Sequence, residues 1–319
     1  MALKSTRDGF GEGLLELGRT NPRVVALSGD LEDSARAIWF KQAFPNRFFS
    51  VGIAEQDMVG TAAGLALMGK IPFACSFSQF VSGKALEQMR LAVCYQRLNV
   101  KIVGSHGGLS VGADGATAES LEEFASLRAL PHMTLIVPCD VLEAKKAAIA
   151  AAAYPGPVFL RLGRSPIPII TKPEDPFTIG RATLLRSGED ATLIACGIMV
   201  EHALRAAGLL AKDGISARVI NLHTLKPLDT STILQAARET GAIVTAEEHS
   251  VIGGLGSAVA ETIVQEHPVP MRCVGVQDRF GTSGDPAELL NAFGLMPEDI
   301  AQAAKDVLRL KQHPASSRL

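Results

Sequence analysis

The segment that decides the fold is FFSVGIAEQDMVG, which runs from Phe48 to Gly60. Its first residues form an apolar, strand-like run that ends in a glycine turn, and Glu55 then lies in the first turn of a predicted helix that continues to Leu67. Because this helix is nearly uncharged, we expect it to be buried. A carboxylate at the mouth of a buried helix is stabilised by the helix N-terminal field and destabilised by desolvation, so it can exchange a proton with a bound base. The alternative is an ordinary negative charge at a helix start.

The composition is that of a well-buried α/β protein. The chain has 319 residues, of which 47% are hydrophobic and 20% charged, and this length is enough for two domains. The formal net charge is −2, with both signs mixed along the chain. This balance argues against a nucleic-acid groove and a polybasic membrane anchor, so we expect neither nucleic acid nor a membrane among the partners.

The cysteines and the N-terminal residues indicate where the protein works. The five cysteines lie far apart, and no Cys/His cluster has metal-ligand spacing. The run Met1–Asp8 lacks the apolar stretch of a signal peptide, and no run is long enough to span a membrane. We therefore expect a reducing, cytoplasmic location.

Short β-branched runs alternate with helical patterns such as Val141–Ala153 and Val200–Lys212, which favours parallel, doubly wound sheets. The predicted strands are Val24–Ser28, Ile71–Ala74, Val100–Gly104, Thr134–Val137 and Val158–Leu162 in the first half, then Ala191–Cys196, Ala217–Leu222, Ala242–Ala246 and Arg272–Val276. A proline-rich run at residues 165–178 cannot form a helix and indicates a linker. We thus predict an α/β fold of two successive doubly wound sheet domains, at residues 1–166 and 181–312, with a linker at 167–180 and a frayed tail at 313–319.

The Phe48–Gly60 segment resembles the strand–Glu–helix signature of the transketolase superfamily of thiamine diphosphate enzymes. The resemblance extends over almost the whole chain, with the first half similar to the pyrimidine-binding domain and the second to the transketolase C-terminal domain. The loop Glu247–Ser257 is similar to the signature of that second domain. Taken alone this glycine-rich loop could be a dinucleotide turn, but it departs from Gly-x-Gly-x-x-Gly, and packing of the loop onto a helix is the favoured interpretation.

One half of the cofactor site is missing from the chain. The family holds the cofactor diphosphate through a metal ion and a Gly-Asp-Gly motif, which this sequence lacks, and no cluster of oxygen ligands for a divalent ion is visible. The resemblance therefore implies a split enzyme that shares its thiamine diphosphate, with Mg²⁺ or Ca²⁺ bound mainly by a partner chain. That partner would be an N-terminal transketolase subunit carrying the diphosphate-binding domain. We expect a two-plus-two heterotetramer with a homodimer of this chain at its centre.

The resemblance implies four cofactor-binding residues. Glu55 would hydrogen-bond a ring nitrogen of the aminopyrimidine and so activate the cofactor, which makes it a catalytic residue. Phe77 and Phe80 match family aromatics that stack on and flank that ring, and Asp30 matches a residue near the cofactor. The alternatives are core packing for the phenylalanines and a surface turn for Asp30. A third family aromatic would fall at Gly83.

Four residues are implied to bind a sugar phosphate or a similar anionic substrate: Ser34, His106, Asp114 and Arg164. His106 would also be catalytic, because an imidazole can donate to a phosphate or shuttle a proton. A guanidinium such as that of Arg164 suits a phosphate, sulfonate or carboxylate. The alternatives are a solvated loop histidine for His106 and a surface turn for Ser34. Arg161 is a nearby second cation that could instead form a linker salt bridge.

Ala118 departs from the family pattern, since transketolases and deoxyxylulose-phosphate synthases usually carry a histidine there. The departure predicts a shifted donor or acceptor preference, or a histidine lent by the partner chain. Our leading hypothesis is the second subunit of a transketolase that moves a two-carbon ketol unit between sugars and is active only with its partner. A 2-oxoacid dehydrogenase beta subunit or an enzyme like deoxyxylulose-phosphate synthase is the alternative, and a noncatalytic binding module belongs to a third class.

Overall fold

The computed structural model describes residues 3–312, and the predicted frayed tail at 313–319 lies outside the described residues. The strands are β1 (Leu3–Lys4), β2 (Val24–Ser28), β3 (Phe48–Ser50), β4 (Ile71–Phe77), β5 (Lys101–Ser105), β6 (Thr134–Ile136), β7 (Val158–Arg161), β8 (Ile167–Pro168), β9 (Thr183–Arg186), β10 (Ala191–Ala195), β11 (Ala217–Asn221), β12 (Thr224–Lys226), β13 (Ile243–Ser250) and β14 (Met271–Val276). The α-helices are α1 (Thr6–Thr20), α2 (Ile38–Ala43), α3 (Glu55–Leu67), α4 (Ser78–Lys84), α5 (Leu86–Gln88), α6 (Glu123–Ala129), α7 (Val141–Ala153), α8 (Met199–Lys212), α9 (Thr230–Thr240), α10 (Leu255–Glu266), α11 (Pro286–Ala292) and α12 (Pro297–Gln312). A π-helical turn at Met89–Cys94 follows α5, and short 3₁₀ turns lie at Pro45–Arg47 and Leu109–Val111.

Two main sheets confirm the predicted α/β class. The first has the strand order β12-β6-β7-β5-β4-β2-β3 and the second the order β14-β13-β10-β11-β9. Each sheet is parallel except for one edge strand, which runs antiparallel to its neighbour: β12 in the first sheet and β9 in the second. The alternation of β-branched runs and helical patterns therefore predicted the architecture correctly.

The structure adds strands that the sequence patterns did not predict. β12 belongs to the second half of the chain but pairs with β6 in the first sheet. β8 lies inside the predicted linker and pairs with β1. The predicted strand Ile71–Ala74 continues to Phe77, and Ala242–Ala246 is replaced by Ile243–Ser250.

The first sheet is covered on both faces by apolar packing. On one face Leu27 belongs to a cluster with Met58 of α3. On the other face Phe73 packs with Phe10 of α1 and Ala144 of α7. Since the parallel strands end at one edge, the loops that follow β2, β3, β4, β5 and β7 lie along that edge.

The expectation that α3 is buried is correct for only one of its sides. Glu55, Met58 and Val59 are buried, whereas Gly60 and Gly64 are exposed. Leu67 at the end of α3 and the following Met68 are 65% and 80% exposed. The low charge of α3 led to the prediction of burial. A helix with an apolar face that is exposed in the single chain has the same low charge.

Within residues 3–312 no helix is both long and apolar enough to cross a membrane.

Candidate active site

Glu55 lies at the edge of the first sheet where the strands end, in the first turn of α3. Its side chain is 1% exposed, and its two oxygens have different partners. Ser76 Oγ donates to Oε1 at 3.1 Å, and Lys84 Nζ lies 3.2 Å from Oε2. The carboxylate borders a groove of about 590 Å³, which is lined by Ile53, Ala54, Glu55, Gln56, Asp57 and Lys84. Glu55 is therefore a buried acid beside an open groove and does not extend into bulk solvent.

Three rings, those of Phe80, Phe77 and His106, form an aromatic row that starts near Glu55. The ring centroids of Phe77 and Phe80 are 5.4 Å apart at an interplanar angle of 32°. His106 stacks on Phe77 with centroids 3.9 Å apart and an angle of 26°. Both phenylalanines are half-buried, so neither is a residue of the closed core. Because β4 ends at Phe77 and α4 carries Phe80, the strand-to-helix junction sets the spacing of the pair.

His106 follows β5 and has a left-handed backbone, with φ of 57°. The imidazole is buried, with Nδ1 2.7 Å from Ser105 Oγ and Nε2 3.4 Å from a guanidinium nitrogen of Arg7. Burial, and then the charges of Arg7, Arg164 and Arg36, lower the pKa of His106 to about 3. His106 is thus a neutral imidazole at physiological pH, with one nitrogen that donates and one that accepts.

A second cavity, of about 510 Å³, is lined in part by Arg7, whose guanidinium lies 3.4 Å from His106. Its lining combines both halves of the chain: Arg7, Val111, Ala113, Arg164, Ser165 and Pro166 from the first, and Gly284, Asp285 and Pro286 from the second. Arg164 donates to the Val111 carbonyl at 2.7 Å and lies 3.5 Å from Asp114 Oδ1. Two guanidinium groups in one cavity make it suited to an anion.

Arg7 is the site residue that the sequence analysis missed. It lies in the first turn of α1 and donates to the Ser34 carbonyl at 3.0 Å. Burial and the neighbouring charge of Arg36 lower its pKa, which is typical of a cation held among other cations. No pattern in the sequence distinguishes this arginine from any charged residue at a helix start.

The loop after β2 borders the same site. Ser34 is half-buried beside Arg7, whereas Asp30 is exposed and has a left-handed backbone with φ of 65°. A Cβ added at Gly29 would lie 3.8 Å from Glu55 Oε1, so this loop passes close to the carboxylate. Ala118 lies in a turn, is 5% exposed and donates its N–H to the Gly115 carbonyl at 2.9 Å.

The loop Glu247–Ser257 has a structural role. The Glu247 carboxylate accepts from the N–H groups of Leu255 at 2.6 Å and Gly256 at 2.8 Å, at the start of α10. A bound dinucleotide would need those same amides for its phosphate. Because Glu247 already occupies them, the packing interpretation of this loop holds.

Arg161 joins the two halves of the chain beneath the site. Its guanidinium is 3% exposed and lies 3.0 Å from Glu123 and 3.6 Å from a carboxylate oxygen of Glu248. The Glu248 side chain also accepts from the N–H of Ser110, in the loop that carries His106. This buried ion cluster fixes the His106 loop against β13.

The described residues fit half of a thiamine diphosphate site. A buried carboxylate beside an aromatic pair provides the edge and face contacts that a flat aminopyrimidine requires. Within residues 3–312 no group of three or more His, Cys, Asp or Glu side chains is placed to hold a metal ion. The groove therefore suits the aminopyrimidine ring of the cofactor.

Comparison with known families agrees with this division. Residues 3–168 match the model of the transketolase pyrimidine binding domain, and residues 180–300 match that of the transketolase C-terminal domain. A split-gene transketolase structure, described as an inactive beta4 tetramer, superposes with a TM-score of 0.91 at 46% identity, and the match covers 96% of this chain and 99% of that one.

Two curated relatives of similar length are described as transketolase subunits. A 6-deoxy-6-sulfo-D-fructose transketolase subunit of Clostridium sp. (strain MSTE9) is 46% identical, with 96% of this chain and 95% of the relative covered. An apulose-4-phosphate transketolase subunit of Phocaeicola vulgatus is 40% identical, with coverages of 95% and 97%. The transketolase of Homo sapiens is 38% identical over 95% of this chain but only 49% of its own length.

Proposed function

The chain belongs to the transketolase family as a subunit of a split enzyme, and on that premise we propose that it transfers a two-carbon ketol unit between sugars that carry an anionic tail. The active site would be completed by an N-terminal subunit with the diphosphate-binding domain. The observation that carries the proposal is Glu55, a buried carboxylate beside the Phe77–Phe80 pair in a groove that this chain encloses on one side only.

When bound, thiamine diphosphate would supply the means to stabilise the carbanion that ketol transfer requires. Glu55 would share a proton with a ring nitrogen of the aminopyrimidine. Phe77 and Phe80 would orient the flat ring and exclude water from it. The loop of Asp30 would border the ring from the side of β2, and the diphosphate with its Mg²⁺ or Ca²⁺ would be held mainly by the partner chain.

The substrate would extend from the aromatic row into the cavity of Arg7 and Arg164. His106 is neutral, and burial and three arginines lower its pKa to about 3, so a hydrogen bond to a substrate hydroxyl suits this imidazole better than uptake of a proton. Asp114 would accept a hydrogen bond from another hydroxyl, and Ser34 would contact the anionic tail.

A phosphate or a sulfonate would suit the two guanidinium groups. Both tails are tetrahedral and present oxygen acceptors that a guanidinium fork can bind in pairs. The two split relatives are named for a sulfosugar and a phosphosugar, so this substrate class spans both. Ala118, where the family usually has a histidine, supports a donor or acceptor preference shifted from ordinary pentose phosphates.

We expect a two-plus-two heterotetramer with a homodimer of this chain at its centre. The open apolar side of α3, next to the Glu55 groove, supports burial of this face in an assembly. Light scattering of the mixed chains tests it, and a single pair with no further association would contradict it.

The decisive experiment mixes the purified chain with its N-terminal partner and measures ketol transfer. Activity should require both chains, and Glu55→Gln should reduce kcat at least about a hundredfold, since general acid–base groups contribute factors of this size. Glu87→Gln, a change at an exposed carboxylate of α5, is the matched control and should leave kcat unchanged. Robust turnover by the isolated chain, or by the Glu55→Gln mixture, would refute the proposal.

A further inference from the structure

Lys84 is a feature of the site that the proposed function does not use. It is the last residue of α4, and its Nζ lies 3.2 Å from Glu55 Oε2 and 4.6 Å from the centroid of the Phe80 ring. Gly83 precedes it at an exposed position, where an added Cβ would meet only the end of the Gln79 side chain, at 3.8 Å. The ammonium group thus enters the groove next to an unfilled space.

The ammonium group of Lys84 makes the same two kinds of contact that the cofactor ring would make. An aminopyrimidine at Glu55 would share a hydrogen bond with the carboxylate and lie against an aromatic side chain, and Lys84 makes both kinds of contact. A carboxylate that is 1% exposed is unfavourable without partners, and Lys84 supplies the positive charge at Oε2 while the Ser76 hydroxyl donates to Oε1.

The Lys84 ammonium group can also move away from Glu55. Its own side chain is 51% exposed, and a lysine ammonium on its flexible stem is well solvated in water. Moving the ammonium group into solvent therefore costs little if another hydrogen-bonding group takes its place at Glu55.

We propose that Lys84 is an internal substitute for the cofactor ring, paired with Glu55 in the unassembled subunit and displaced from it when thiamine diphosphate binds. The inference rests on the proposed function. Lys84 is a positioning residue: it keeps the Glu55 carboxylate oriented toward the groove before assembly, and it weakens cofactor binding because its ion pair must be broken first.

The first test needs no cofactor and no partner. The midpoint of thermal unfolding is measured for the isolated wild-type chain and for Lys84→Met, Glu55→Gln and the double variant. Lys84→Met should lower the midpoint in the wild-type background and change it much less in the Glu55→Gln background, because the pair is then already lost. Equal effects in the two backgrounds would overturn the proposal, whatever the enzyme does.

The second test measures thiamine diphosphate binding to the two-chain enzyme by calorimetry, in the presence of Mg²⁺. Lys84→Met should bind the cofactor about three- to tenfold more tightly than wild type, a gain equivalent to about 0.7–1.4 kcal/mol. Lys70→Met, at an exposed lysine just before β4, is the control and should bind like wild type.

The outcomes separate this inference from the function on which it rests. Unchanged or weaker binding by Lys84→Met, with normal binding by wild type, would overturn the displacement and leave the proposed function intact. No binding by the wild-type mixture would overturn the function and the displacement together, although the Lys84–Glu55 coupling would still be measurable in the isolated chain.

Discussion

The residues that matter for chemistry in this chain are buried side chains that lie next to a groove or a cavity. Glu55 is covered but borders a groove, and His106 is covered and surrounded by arginines. The place of Glu55 could be predicted from the sequence, because it follows a strand-like run and a glycine turn and begins a helix whose only other charged residue is Asp57. Arg7 could not, because only the fold places the start of α1 beside the loop that follows β5.

At this scale the arginine cavity makes a testable prediction. Arg164→Met or Arg7→Met should raise the KM for a sugar with a phosphate or sulfonate tail by about 10–100-fold, since a hydrogen bond to a charged group contributes about 1.5–3 kcal/mol. The KM for a sugar without a charged tail should change far less. Steady-state kinetics of the two-chain enzyme measures this, with Arg19→Met at an exposed position of α1 as the control. Equal losses for charged and uncharged sugars would argue against tail recognition.

Glu119 leads to a second prediction at the residue scale. Burial, and then the charges of Glu248 and Asp114, raise its pKa from 4.5 to about 7. Because the folded state holds this proton more tightly than the unfolded chain, stability should fall as the pH rises from about 4.5 to 7. Glu119→Gln should flatten part of that fall, while Glu143 and Glu247, with pKa values raised to about 7 and about 8, maintain the rest. Unfolding midpoints across this pH range provide the measurement, and an unchanged slope in the variant would contradict it.

At the scale of elements, periodicity predicted the long strands and helices well and the short ones poorly. Val24–Ser28 and Val141–Ala153 lie where the patterns indicated, because each buries a complete apolar run. β12 has three residues and pairs with a strand from the other half of the chain. A strand this short has no periodicity of its own, so only the tertiary structure specifies it.

Alanine substitutions at two glycines should have opposite effects on the stability of the chain. A Cβ at Gly64, on the open side of α3, would meet no atom within 4 Å, whereas a Cβ at Gly107, after His106, would overlap the Arg161 side chain. Gly64→Ala should stabilise the isolated chain by up to about 1 kcal/mol through helix propensity. Gly107→Ala should destabilise it by about 1–3 kcal/mol, the usual cost of overpacking. Urea unfolding of the two variants compares them directly, and a stabilising Gly107→Ala would show that the loop has room to move.

At the scale of the whole molecule, buried charge holds the two halves of the chain together. Arg161 connects Glu123 of the first half with Glu248 of the second, and the surrounding apolar cluster extends from Met58 to Ile220. The sequence predicted two successive domains, but it contained no signal for how they are joined. The charged partners are distant in the chain and resemble ordinary surface residues.

The prediction at this scale concerns that junction. Arg161→Met leaves two buried carboxylates without their cation and should reduce the free energy of unfolding by about 3–5 kcal/mol. Lys4→Met removes the exposed pair with Glu12 and should cost less than about 1 kcal/mol. Chemical denaturation followed by far-UV circular dichroism measures both, and similar small losses would show that the Arg161 cluster contributes little.

The pairing of β12 with β6 also limits how the gene for this chain could be divided. Fission at the proline-rich run would separate a fragment containing β6 from the fragment that covers its outer edge. The upstream product would then expose unpaired backbone groups, which invites aggregation. Natural or engineered fission between the two sheets is consequently disfavoured, and a protease that nicks the run near Pro173 should yield two pieces that still elute as one particle.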